Sequence, residues 1–345
     1  MDLYARLIKP LLFSMDAEKA HTIALKAMAL GNGSLLPLIT NKSDHRKNQS
    51  LTLAGIEFPN RVGLAAGFDT NAALVDIWPR LGFGHIEIGT ITPKPQEGNP
   101  KPRLFRMPAD AALINRMGLN NEGVEIIRAR LELYRPDSTT CVIGGNIGKS
   151  KETSEDNAFK DYLLCMEGLH EVVDYFTVNI SSPNAVGLRN MQNREPLWKL
   201  LGNLQDRNQQ FGKPRPIFIK IAPDMDEYQL ADMVLVAKET NCAGIVATNS
   251  TTSRNNLITP VSTVGAFGQG ELSGHPLKER AAYFNQLIAR MIPPDMVLIA
   301  TGGIMQAEDA EQRFQNGAHL VQLYTGFVYK GPKLINECIN LLHSN

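Results

Sequence analysis

The chain has 345 residues, 43% hydrophobic and 20% charged, enough to bury a large core, and Lys+Arg equals Asp+Glu at 35 each, which removes the broad electrostatic case for nucleic acid. Four cysteines (Cys141, Cys165, Cys242, Cys338) with no CxxC pair argue against a zinc site or a disulfide scaffold and suit a reducing compartment. No apolar run approaches the roughly 20 residues of a membrane span, and no secretory signal opens the chain, so the expectation is a protein that folds in the cytoplasm yet can still touch a membrane.

The first forty residues differ from the rest. "LYARLIKPLLFSM" places Leu3, Leu7, Ile8, Leu11 and Leu12 on one side at helical spacing, and Pro10 is expected to kink that helix or divide it. After Asp16 as N-cap, "AEKAHTIALKAMALG" forms a second amphipathic stretch ending at Gly31. Neither stretch belongs to a strand–helix unit. They form either a helical pair capping the main domain or an interfacial anchor that dips an apolar face into a bilayer.

From Arg61 onward eight short apolar, β-branched runs recur: "RVGLAAG", "HIEIGT", "CVIGGNIG", "YFTVNIS", "IFIKIAP", "GIVATNS", "VLIATGG" and "LVQLYTG". Near-continuous apolar character marks strands buried on both faces. Most are separated by segments of helical spacing, such as "DEYQLADMVLVAKETN", expected to begin after Asp224 as N-cap, and "QAEDAEQRFQNG", stopped by Gly317. Strand–helix alternation repeated eight times predicts an α/β fold, a (β/α)8 TIM barrel with an N-terminal helical extension; a doubly wound open sheet is the alternative. The domains expected are 1–40, helical, and 41–345, the barrel.

In a barrel of this kind the carboxyl ends of the strands form the face where chemistry occurs. All eight runs end in Gly, Pro, Asn, Ser or Thr, and three long connections leave that rim: "ITPKPQEGNPKPRLFRMPADAALINRMGLNN", "SPNAVGLRNMQNREP" and "TTSRNNLITPVSTVGAFGQGELSG". Long loops without helices of their own are surface decoration or lids and binding loops.

"TGG" (Thr301 to Gly303) and "YTG" (Tyr324 to Gly326) end the last two strands, where barrels commonly hold a phosphate, and Gly274 in "LSGHP" can close the same pocket. Lys220 inside "IFIKIAP" is either half of a structural ion pair or a cation facing negative charge that develops on a ligand. Asn115, Asn146, Asn179, Asn184 and Asn249 are turn residues singly; converging, they would cage a flat ring rich in heteroatoms. Ser182 stands where a base or nucleophile belongs, with no histidine near it in sequence, so a Ser-His-Asp hydrolase is poorly supported.

"VGLAAGFD", "GFGHIEIGTITPKPQEGNPKPRLFR", "INRMGLNNEG", "NIGKS", "NISSPNAVGLR", "KIAPD", "IVATNSTT", "GELSGHPL" and "LVQLYTGFVYKGP" resemble the dihydroorotate dehydrogenase family, and more narrowly its membrane-associated, quinone-reducing class 2. The likeness runs in order from about Met1 to about Pro332, and "MDAEKAH" resembles the extra helical pair of that class. The resemblance implies oxidation of dihydroorotate to orotate in pyrimidine biosynthesis. It implies one FMN per chain, along Ala65, Ala66 and Gly67, with Thr90, Asn146, Asn179, Lys220 and Thr248 at its heteroatoms and Gly274, Gly303, Tyr324 and Thr325 at its phosphate. Dihydroorotate would be held by Asn115, Arg116, Met117, Gly118, Leu119, Asn179, Asn184, Asn249 and Ser250, with Ser182 as catalytic base. His21, Arg106 and Tyr324 match the inner end of a quinone tunnel, although His21 by itself reads as an ordinary surface or packed histidine. The implied location is the cytoplasmic face of the cell inner membrane, held peripherally by the N-terminal helices; a monomer and no metal are expected.

One departure matters. The family usually reads "AAGFDK"; here Thr70 replaces the lysine, removing a cation at flavin and substrate. Rival readings are a related flavin-dependent barrel oxidoreductase acting on another ring, a phosphate-binding barrel isomerase with no redox cofactor, and a non-catalytic membrane-docking protein.

Overall fold

The structure, a computed structural model, describes residues 2–31, 50–134, 141–181 and 190–341. Ser182, Asn184, most of the connection "SPNAVGLRNMQNREP" and the expected boundary between residues 40 and 41 lie outside the described residues.

The N-terminal segment divides as Pro10 requires: a wide five-residue turn of π type, Tyr4–Ile8, gives way to α1 (Lys9–Phe13), with the proline in its first turn where a missing N–H costs nothing. Asp16 caps α2 (Ala17–Leu30) by accepting from the Lys19 N–H, and Gly31 ends it. A hairpin follows, β1 (Leu51–Leu53) with β2 (Ile56–Phe58).

The eight expected runs form a closed parallel barrel: β3 (Val62–Leu64), β4 (His85–Ile91), β7 (Val142–Ile147), β8 (Tyr175–Asn179), β9 (Ile217–Ile221), β10 (Gly244–Ala247), β12 (Val297–Thr301) and β13 (Leu320–Leu323), the last pairing back to β3. Every one of these strands is buried along its whole length, which is why the runs are apolar on both faces. Side chains at alternate positions face the axis. Where the strands begin, Val142, Tyr175, Phe218, Val246, Val297 and Leu320 pack with Phe58 of the hairpin, which plugs that end. Bulk there is matched by missing bulk: a Cβ on Gly63 would fall 2.1 Å from the His85 ring, and one on Gly144 2.1 Å from the Tyr175 ring.

Three expectations need correction. The helix Glu227–Glu239 is capped by Asp226, whose carboxylate takes the Gln229 N–H in a reciprocal capping box. Asp224 instead accepts from the Thr251 and Thr252 hydroxyls and the Thr252 N–H, tying down another loop. The first and third long connections are not simple loops. They supply β5 (Leu104–Met107), β6 (Ala112–Asn115) and β11 (Glu271–Gly274), an antiparallel sheet in the order β11-β6-β5, and the third also carries a helix, Val261–Phe267. Pairing between residues 112–115 and 271–274 is invisible to local periodicity. The stop at Gly317, with positive φ just past the helix Ala307–Gln315, is as expected.

Arg103 and Arg106 dock the N-terminal helices onto this construction. Arg103, 6% exposed, forks onto Glu18 of α2 at 2.7 Å and donates to the Glu97 and Asn99 carbonyls. Arg106 donates to the Leu12 and Met15 carbonyls and lies over the Phe13 ring.

Candidate active site

A cleft open to solvent lies at the carboxyl ends of the barrel strands, the place where this architecture puts its ligand sites. The rim positions follow from strand parity. Two residues beyond the apolar plug, the axis-facing positions become polar: Lys220 follows Phe218, Gln322 follows Leu320, and Thr248 follows Val246. In β4 the register shifts between Ile88 and Ile91, and Thr90 within that irregularity reaches the cleft wall, the way bulges re-aim a side chain beside a site.

One wall consists of Ala65, Ala66 and Gly67 at the end of β3, placed by Ala65 N–H donation to the Leu323 carbonyl and Gly67 N–H donation to the Gly89 carbonyl. Thr70 lies on the same wall. Next to it, at the end of the neighbouring strand β13, Tyr324 and Thr325 line the cleft together with Gly274 and Gly303. Backbone approaches there leave no space for side chains: a Cβ on Gly274 would sit 2.4 Å from the Ala111 carbonyl oxygen, on Gly303 2.3 Å from Lys278 Cα, and on Gly326 2.1 Å from the Ile304 carbonyl oxygen. Burial pushes the Tyr324 phenol up to about 12, so it stays protonated and donates to the Gly67 carbonyl at 3.3 Å.

The small sheet brings Asn115 to the cleft, in register with Glu271, and Met117, Gly118 and Leu119 continue the same edge. Arg116 does not join them. Its guanidinium donates to the Phe267, Gln269 and Pro102 carbonyls and stacks over Phe105, pinning the loop from behind. Asn146 is also off the wall. It is fully buried, accepting from Thr90 Oγ1 at 2.6 Å and donating to Glu87 at 2.7 Å, so it holds a lining residue without lining.

The remaining amides are joined by hydrogen bonds. Ser250 N–H donates to Asn249 Oδ1, Asn249 Nδ2 to Ser181 Oγ (2.9 Å), Ser181 Oγ to Asn179 Oδ1 (3.1 Å) and Asn179 Nδ2 to Thr90 Oγ1 (2.8 Å). The Ser250 hydroxyl is spent on Glu271 at 2.8 Å. Lys220 is 3.4 Å from the buried Glu87 carboxylate, as the ion-pair reading expects, and it also lines the cleft. Among the lining residues described, it is the one cation.

Glu87, Glu271, Gln322 and Ser181 also belong to this network. A lone charge within an apolar strand, the signal that singled out Lys220, was equally present for Glu87 in "HIEIG".

The donor set fits a flavin mononucleotide. Thr248 Oγ1 is buried without a partner among the described residues, which is costly unless a ligand completes it. The glycine strand ends admit a phosphate to within reach of backbone N–H groups. A second groove, lined by Asp224, Asp226, Glu227 and Glu279, repels an anion, and its Arg280 already donates to the Pro223 and Met225 carbonyls.

Toward the N-terminal helices, Tyr324 packs edge-on to Phe68, which in turn meets His21 edge-on at 4.9 Å. Burial lowers the His21 pKa, against a hydrogen bond to the Phe68 backbone and the charges of Asp69 and Glu18. Arg106 lies beneath α1 as described, with its donors on helix carbonyls.

The family model for dihydroorotate dehydrogenase matches residues 49–345. A dihydroorotate dehydrogenase (quinone) of Christiangramia forsetii is 44% identical over 340 residues, covering 97% of both chains. One from Albidiferax ferrireducens is 42% identical over 357 residues, covering 98% of each. A ligand-free crystal structure of DHODH from Eimeria tenella superposes with TM-score 0.87 at 35% identity, covering 95% of each chain. The same organism's enzyme in complex with ferulenol gives 0.84 at 35% identity, covering 94% of this chain and 90% of that one.

Proposed function

We propose, since this chain belongs to the dihydroorotate dehydrogenase family, that it oxidises (S)-dihydroorotate to orotate with a membrane quinone as electron acceptor, in pyrimidine biosynthesis. The observation that carries the reading is the cleft at the strand ends, where a buried cation, an orphaned hydroxyl and crowded glycines meet a chain of oriented amides. FMN, when bound, supplies hydride acceptance from the substrate and electron delivery to the quinone.

Ala65, Ala66 and Gly67 would lie along the ring, Thr90, Asn179, Lys220 and Thr248 at its polar edge, with Asn146 acting through Thr90. Gly274, Gly303, Tyr324 and Thr325 would take the phosphate. Lys220 places its positive charge where negative charge gathers, in a site sealed from water on the barrel side. Asn115, Asn179, Asn184, Asn249 and Ser250 would hold the substrate ring, with backbone and side-chain contact from Met117, Gly118 and Leu119. Ser250 spends its hydrogen on Glu271, so it turns lone pairs toward a substrate N–H. Ser182 is proposed as the base that takes the C5 proton while C6 loses hydride and the C5–C6 double bond forms. A serine hydroxyl needs water excluded to do this at neutral pH.

The quinone is proposed to approach beside His21, Arg106 and Tyr324. Among the described residues no helix is long and apolar enough to cross a membrane, and Leu7 and Leu11 are 64% and 61% exposed on the N-terminal helices. Peripheral attachment at the cytoplasmic face of the inner membrane is proposed, supported by that apolar face, and the protein is proposed to be a monomer. A yellow protein that reduces a ubiquinone analogue only when given dihydroorotate supports the proposal; a colourless one, or one inert toward dihydroorotate, overturns it.

A second reading is favoured by Thr70 and Glu271, since the described lining residues include no second cation and do include a carboxylate: a related oxidoreductase for a ring lacking a carboxylate. Faster bleaching of the flavin by dihydrouracil than by dihydroorotate would select it.

A further inference from the structure

Glu87 is wholly buried and receives three donors: Asn146 Nδ2 at 2.7 Å, Gln322 Nε2 at 2.9 Å and Lys220 Nζ at 3.4 Å. Gln322 and Lys220 line the cleft, and Asn146 holds Thr90, which also lines it. Each bond from this carboxylate therefore ends at the cleft wall or one residue behind it.

A carboxylate only accepts. The Asn146 amide is accordingly turned with its NH2 to Glu87 and its carbonyl to Thr90, so the single Thr90 hydrogen is spent on Asn146 and the hydroxyl accepts from Asn179. Gln322 is turned the same way, with its NH2 on Glu87. The amide chain thus runs one way, from the donor-only Ser250 N–H at one end to the acceptor-only Glu87 at the other. Glu87 also sets a negative charge against Lys220 in an interior where charges are weakly screened.

We propose that Glu87 is a positioning residue that fixes the hydrogen-bonding sense of the cleft wall and offsets the Lys220 charge, holding the reduction potential of the bound flavin low enough for electrons to pass on to a quinone. The proposal rests on the flavin reading above. Without the Glu87 charge, Lys220 faces the ring uncompensated, negative charge gathers there at less cost, and the potential rises.

The test is Glu87→Gln in the full-length, flavin-loaded protein, with the two-electron midpoint potential measured by equilibration with a reference dye. The expected result is a rise equivalent to at least tenfold in the oxidised-to-reduced ratio, about 30 mV. In rapid mixing, reoxidation by a ubiquinone analogue should slow more than bleaching by dihydroorotate. A purely structural defect would slow both alike. A potential within twofold of the natural protein, about 9 mV, overturns the proposal. Should Glu87→Gln purify without flavin, Glu87→Asp decides: restored flavin at the natural potential supports a charge role, and a colourless Asp variant assigns Glu87 to folding alone and overturns it. The potential needs only bound flavin, so failure here is distinct from failure of the natural protein to bleach with dihydroorotate, which would sink the functional reading itself.

Discussion

The two ends of the barrel are built from the same strands and the same axis-facing parity, yet they do opposite things. At the closed end Val142, Tyr175, Phe218, Val246, Val297 and Leu320 meet Phe58 and exclude water. Two or four residues further along those strands the positions are Asn146, Asn179, Lys220, Thr248, Thr301 and Gln322, and the barrel opens. Stability is concentrated where bulk fills the axis, and chemistry where polar groups satisfy one another and leave a hydroxyl for a ligand. His85 is the exception at the closed end: both ring nitrogens are buried without partners among the described residues.

The contrast can be broken most forcefully at the open end. Ser182→Ala should lower dihydroorotate-dependent bleaching by about 10²–10⁴-fold, the range of a lost general base, while flavin content is retained. Loss of colour instead would make Ser182 part of the scaffold.

At the closed end, burial lowers the His85 pKa to about 4, only partly opposed by Glu87. The unfolded chain takes this proton near pH 6.5, so between 6.5 and about 4 it binds more protons than the native state. Stability is therefore unaffected by this group above that window and falls as pH drops through it, by on the order of 3 kcal/mol. His85→Leu should flatten that part of the unfolding profile; parallel profiles for the two proteins would refute the assignment.

Thr70→Lys returns a cation to the open end. A charge-assisted hydrogen bond of about 1.5–3 kcal/mol should lower the Michaelis constant for dihydroorotate by about tenfold or more. An unchanged constant would mean the missing cation does not limit binding.

The smallest effect is expected from packing alone. Gly144→Ala drives a methyl into the Tyr175 ring and should cost about 1–3 kcal/mol, read as a lower denaturant midpoint with unchanged flavin potential. A shifted potential would show that the two ends are less separate than their chemistry implies.

Much of this was legible without coordinates. Eight apolar runs, the division at Pro10, the Asp16 cap and the glycine strand ends are local features, and each stands where it was expected. Arg116 and Asn146 were not separable from true lining residues, because sequence marks a strand end without saying where a long side chain finds acceptors. Arg116 turns to three loop carbonyls and Asn146 to Glu87. Asp226 rather than Asp224 became the cap because Asp224 was claimed by threonines 27 and 28 positions away.

The amino-acid order by itself determined the barrel, since strands buried on both faces must be apolar throughout and the helices between them must carry an apolar stripe. It also determined which residue types stand at the mouth. Only the folded chain decided the polarity of that mouth. Direction in a hydrogen-bond chain depends on what each amide meets across the barrel, and here it ends on Glu87, brought beneath Lys220 and Gln322 from positions 133 and 235 residues away.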